Sequence, residues 1–171
     1  KAATIDALVS VNAKRYITIS NLAFEGANLY GVFAAASDYI TVKNCTFNNI
    51  GNTAVYMESG SQLTVENSNT SNILNNAMQF VCSSDSNITI RNCSIRKTGA
   101  IRGMGASNGN SYKGISVDLS KNLLIENNRV DTTGYVAIEF DGSNVLVKNN
   151  VVNYFCFNKD DAGGIYSWIP A

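Results

Sequence analysis

The chain contains no histidine and one proline, Pro170, in 171 residues. Sites that use an imidazole are therefore excluded from this segment. Neither sign of charge dominates, with 13 basic and 13 acidic residues, so the electrostatic footprint of a nucleic-acid partner is missing. No apolar run approaches the roughly 18 residues of a membrane-spanning helix. The four cysteines include no Cys-x-x-Cys pair, which argues against zinc and thiol-redox chemistry. Gly103-x-Gly105 lacks the strand-to-helix context of a phosphate loop. No metal or other cofactor is expected.

What is abundant is asparagine, 24 of 171 residues, a residue that tolerates left-handed backbone and bonds its own neighbours. Six asparagines head copies of one phrase: apolar-x-apolar, one residue, Asn, then an apolar residue three places on. Ile17-x-Ile19-x-Asn21-x-x-Phe24 is the first copy, and the others centre on Asn44, Asn67, Asn92, Asn127 and Asn149. The third copy ends on Thr70 instead of an apolar residue. The asparagines are 23, 23, 25, 35 and 22 residues apart. A period of this size means a stacked solenoid in which every residue has a rung and a column.

A second phrase follows ten residues after most of these asparagines: small, apolar, variable, apolar. It begins at Gly31, Ala54, Ala77, Gly114, Ala137 and Gly164. Alternation with period two and β-branched residues predicts strands, and clusters such as Ser59-Gly60-Ser61 and Asp141-Gly142-Ser143-Asn144 predict turns between them. Each rung is expected to hold three short parallel strands, with right-handed crossovers. The asparagine column should sit at a bend, each amide bonding its neighbours above and below. Cys45 and Cys93 fall in one column two rungs apart, roughly 9–10 Å, too far for a disulfide. The phrases are under way near Lys1 and still running near Ala171 without the polar caps that terminal rungs need. Residues 1–171 are thus expected to be a single β-helix domain that is a piece of a longer protein, with neighbouring rungs or domains.

This repeat resembles the right-handed parallel β-helix of the pectin-lyase-like superfamily, over residues 4–168. The resemblance implies an all-β solenoid of about six rungs with an internal Asn ladder. It says little about chemistry, because that scaffold hosts lyases, hydrolases, epimerases, tailspikes and adhesins. The missing histidine excludes polygalacturonase-type and alginate-epimerase-type sites that use one. No pectate-lyase-like acidic cluster for calcium with a catalytic arginine is evident.

Function is sought where the repeat breaks. Asn92 to Gly114 is 22 residues and Asn149 to Gly164 is 15, against ten in four rungs. Both insertions leave from the same side, one rung apart, and loops on one face of a repeat array are often its binding face. The first insertion carries Arg102, Asn108, Asn110, Tyr112 and Lys113, and the second Tyr154, Asp160 and Asp161. The strand after them has two outward columns, Phe33-Tyr56-Gln79-Ser116-Glu139-Tyr166 and Ala35-Glu58-Val81-Asp118-Asp141-Trp168. Asp118 and Asp141 are expected to stack directly at about 4.8 Å, close to Glu139. Carboxylate pairs suit glycosidic-bond hydrolysis, and crowded like charges raise one pKa, as a general acid needs. The turn residues around Asp141 and Asp118 also permit a purely structural role.

The stretch from Asp160 to Trp168 resembles an Asp-Gly-Gly-(Gly/Ala)-Ile-Tyr-(Thr/Ser) segment of several bacterial β-helix glycoside hydrolases, with Ala162 where glycine is common. That match implies Asp161, then Asp160, as catalytic or sugar-binding groups. The candidate catalytic set is Asp161, Asp160, Glu139, Asp118 and Asp141. The candidate sugar-holding set is Tyr166, Trp168, Tyr154, Tyr56, Arg102, Tyr112 and Lys113. Arg96, Lys97 and Arg102 are placed near enough to touch an acidic sugar. The expected protein is secreted, bacterial and polysaccharide-acting, resembling a glycoside hydrolase. The alternative is a non-catalytic carbohydrate-binding, adhesin or tailspike-like module.

Overall fold

The computed structural model describes residues 3–82, 86–105 and 110–167. Among them every strand pairing is parallel and there is no helix. Nineteen short strands form three sheets of seven, six and six strands, each sheet taking every third strand of the chain. The result is a three-sided solenoid of six complete coils and the first strand of a seventh.

The columns follow the alternation in the sequence. In the first sheet Val9, Val32, Val55, Met78, Ile115, Ile138 and Ile165 stand in one inward row. Ile17, Ile40, Leu63, Ile88, Leu123 and Val145 do so in the second sheet. In the third sheet Phe24 and Phe47 stack with ring centroids 4.7 Å apart and planes at 13°. Burying such rows is the main favourable term in this fold.

Thr70 interrupts that last row, between Phe47 and Ile95. It is 1% exposed, and its hydroxyl has no hydrogen-bond partner. A buried polar group without a partner is destabilising. Thr70→Val is therefore expected to stabilise the protein by about 1 kcal/mol, a rise of about 2–4 °C in melting temperature by calorimetry. An unchanged or lower melting temperature would show that the hydroxyl is satisfied.

The six phrase asparagines occupy the predicted bend with a different job. Their φ values, 49–58°, lie in the left-handed region, which asparagine tolerates better than most residues. All six are exposed. One amide contact joins two of them, Asn44 Nδ2 donating to Asn21 Oδ1 at 3.3 Å. The internal ladder lies one residue further along, through Cys45, Ser68, Cys93, Asn128 and Asn150. The Cys93 amide donates to Asn128 Oδ1 (2.9 Å), Asn128 Nδ2 to Asn150 Oδ1 (3.0 Å), and Asn150 Nδ2 to the Ile125 carbonyl (2.8 Å). Cys45 and Cys93 are buried free thiols in this column, each donating to a nearby carbonyl.

The small residue that opens the second phrase is required by a close backbone approach. A Cβ on Gly114 would lie 2.4 Å from the Ala137 carbonyl oxygen and 2.7 Å from Val130 Cγ1. At this corner the chain passes from the third sheet to the first, and both insertions leave here. They connect Ser94–Thr98 to Ile115–Ser120 and Val151–Asn153 to Ile165–Tyr166.

Candidate functional site

The first sheet keeps the outward row expected for it: Phe33, Tyr56, Gln79, Ser116, Glu139 and Tyr166 are register partners in turn. The neighbouring row does not run straight. Pairing between the strands Ile115–Ser120 and Ile138–Gly142 holds to Val117–Phe140 and resumes at Ser120–Gly142, so Asp118 and Leu119 together face Asp141. Direct stacking of Asp118 on Asp141 is thus corrected to a β-bulge. Two carboxylates flush across a ladder repel, and a bulge re-aims the side chains beside it. Leu119 takes φ 57° and is exposed. Gly142 takes φ 141°, where a Cβ would sit 1.9 Å from the Ser120 carbonyl oxygen.

Above these strands lies a cavity of about 430 Å³ lined by Asn110, Lys113, Asp118, Tyr135, Glu139, Asp141, Asp161 and Tyr166. At its centre the Lys113 ammonium pairs with Glu139 Oε2, which also accepts from Ser116 Oγ at 3.3 Å. Lys113 is 2% exposed and the Glu139 side chain 15%. The end of the first insertion is pinned by Asn76, which is fully buried. Its Oδ1 accepts from the Lys113 amide (2.9 Å), and its Nδ2 donates to the Asn110 carbonyl and to Gln79 Oε1 (both 2.8 Å).

Asp118 is half-buried at one end of the cavity. Burial holds its pKa above the usual carboxylate range; Lys113 opposes the rise, and Glu139 and Asp141 add to it. Tyr135 is also raised, first by burial and then by Glu139 and Asp161. Asp161 is an exposed carboxylate on the wall formed by the second insertion, with φ 68°. The arrangement therefore sets a half-buried carboxyl group with a raised pKa and a solvated carboxylate in one cavity, with Tyr135 and Tyr166 beside them. Among the described residues no three His, Cys, Asp or Glu side chains converge to hold a metal ion.

The two insertions brace each other. The amides of Asn158 and Lys159 donate to the Gly134 carbonyl (2.7 and 3.0 Å), and Asn158 Nδ2 donates to the Gly99 carbonyl. Lys159 Nζ sits over the Tyr112 ring (5.0 Å) and the Tyr135 ring (5.3 Å), a cation–π clasp. Burial, and then Lys113, lowers the pKa of Lys159.

Of the residues expected from sequence, the cavity gathers Asp118, Glu139, Asp141, Asp161, Tyr166 and Lys113. Tyr112 does not join them. It is 5% exposed, turned inward at φ 73° against Gly99 and covered by Lys159. Asp160 and Arg102 are exposed and line none of the cavities described here, and Tyr154, 68% exposed, points no ring into them. Tyr56 lines a separate cavity further along the sheet. Trp168 and Asn108 lie outside the described residues. Arg96 and Lys97 are corrected: both belong to Ser94–Thr98 of the third sheet, where Arg96 is flanked by Ser71 and Asp131.

Tyr135, Lys159 and Asn76 were not expected in the site. Tyr135 could have been found, because its short Gly-Tyr connection belongs to the single rung between the two insertions. A larger cleft of about 520 Å³ lies at the start of the first insertion, lined by Ile73, Leu74, Ala100 and Ile101 with Asn49, Asn72 and Lys97. None of its lining residues is a carboxylate.

A family model described as a right handed beta helix region matches residues 7–166. No curated protein and no solved structure matches the chain.

Proposed function

We propose, from the premise that this chain belongs to the right-handed β-helix family, that its carboxylate cavity hydrolyses a glycosidic bond in a complex glycan. The observation that carries the reading is the pairing of a half-buried Asp118, its pKa raised, with the solvated Asp161 in one cavity between the insertions. In this reading Asp118 gives its proton to the glycosidic oxygen as the C–O bond breaks. Asp161 takes a proton from the water whose oxygen bonds the anomeric carbon. That division of labour needs two carboxyl groups in different environments. Tyr166 and Tyr135 offer rings for sugar faces, and the Lys113–Glu139 pair holds the floor. A protein acting on such glycans would be secreted or displayed at a cell surface.

A second reading, binding without cleavage, is favoured by the aromatic and amide residues around Tyr56, where Glu58 is engaged by the Tyr56 hydroxyl at 3.0 Å. Incubation with a panel of soluble plant and algal polysaccharides, followed by reducing-end assay, separates the two. Release of new ends by the protein, and its loss in Asp161→Asn, is the expected result. Turnover that survives both Asp118→Asn and Asp161→Asn places the chemistry elsewhere. Retention in affinity gels without cleavage supports the binding module.

A further inference from the structure

Tyr30, Phe33 and Tyr56 form a stack on the outer face of the first sheet. Ring centroids are 5.1 Å apart for Tyr30–Tyr56, 5.2 Å for Tyr30–Phe33 and 5.8 Å for Phe33–Tyr56, the last pair within 4° of parallel. The stack ends at Tyr56, because the next residue of the column is Gln79. At that step a cavity of about 190 Å³ opens, lined by Tyr30, Tyr56, Asn52, Asn75, Gln79 and Asn110. Asn75 is 5% exposed; its Nδ2 donates to Asn52 Oδ1 at 2.7 Å, and its own Oδ1 has no donor. Asn110 lines this cavity and the carboxylate cavity alike.

We infer that this cavity is a distal sugar subsite, in which one unit of an oligosaccharide stacks on Tyr56 while another part of the same chain lies in the carboxylate cavity. An aromatic face ringed by amides suits a sugar, which presents a C–H face to the ring and hydroxyls to the amides. From Tyr56 to Glu139 the column advances three rungs, roughly 14–15 Å at one strand spacing per rung. A disaccharide occupies one cavity at a time, and a longer chain joins both. The inference rests on the glycan reading but does not require cleavage.

The test is calorimetric titration of two-unit and six-unit oligosaccharides of xylose, glucose, mannose and galacturonate with the whole chain. At least one six-unit series should bind at least about tenfold more tightly than its two-unit member, the gain expected from a second engaged site. Tyr56→Ala should remove that gain. Tyr56→Phe, which keeps the ring, should retain it. Equal affinity for both lengths, no binding by any six-unit sugar, or an undiminished gain in Tyr56→Ala overturns the subsite. Length- and Tyr56-dependent binding without hydrolysis overturns the hydrolase reading alone.

Discussion

Replacing Lys113 with methionine is expected to destabilise the protein by about 3 kcal/mol, the lower end of what removing one partner of a buried ion pair costs. The ammonium is almost wholly enclosed and is held by Glu139 and by Asn110 Oδ1 at 3.4 Å. The methionine stem keeps the volume, so the loss measures charge and hydrogen bonding more than packing. What remains is a carboxylate with little access to water, facing Asp118 and Asp141 across the same cavity. Because the Glu139 side chain retains some exposure, part of its solvation is recovered, which sets the figure at the low end. Lys113→Met/Glu139→Leu should regain most of the stability, since it buries no lone charge. Urea unfolding of the two single variants and the double gives the coupling directly. A double variant no more stable than Lys113→Met means that the pair does not act as a unit.

The second large effect is on turnover. On a glycan that the protein cleaves, Asp118→Asn is expected to lower kcat by about 10²–10⁴, the range associated with removing a general acid. The pH profile tests the role independently. An acid must hold its proton, so activity should fall on the alkaline side as pH rises through the elevated pKa of Asp118. Asp141→Asn removes a like charge and should move that limb to lower pH; Lys113→Met removes an opposing charge and should move it higher. Stability has the matching sign. A carboxyl group whose pKa is raised by folding contributes fully below its unfolded value and loses that contribution as pH rises through the folded one. Asp118→Asn should therefore be more stable than the parent near neutral pH and show no such advantage in acid. An alkaline limb that stays put in Asp141→Asn would remove Asp118 from the acid role.

The regular part of this structure was legible in the sequence because it is periodic. Counting from each asparagine placed Glu139 beside Ser116 and Tyr166, and both insertions at one corner. Where the count stops being regular, legibility stops too. The offset between Asp118 and Asp141 arises from one extra residue in a strand, which alternation alone does not register. Tyr112 reads as a loop aromatic, yet close packing of Gly99 and Gly134 draws it inside. Arg96 and Lys97 share the corner's sequence neighbourhood with the first insertion, but their strand faces another side of the prism. The asparagine phrase marked the bend correctly, while the hydrogen-bonded ladder lies one residue beyond it, because the left-handed turn at each asparagine carries its side chain outward.

Both insertions depart from and return to a corner whose neighbours close with a few residues, as Gly134 to Ala137 does between strands Arg129–Thr133 and Ile138–Gly142. The coils above and below keep their register whether the connection is short or long. Heritable change can therefore lengthen, trim or exchange the cavity walls without repacking the apolar rows, since surface loops tolerate length change at little thermodynamic cost. Specificity in such a molecule can drift while the stack that carries it stays put.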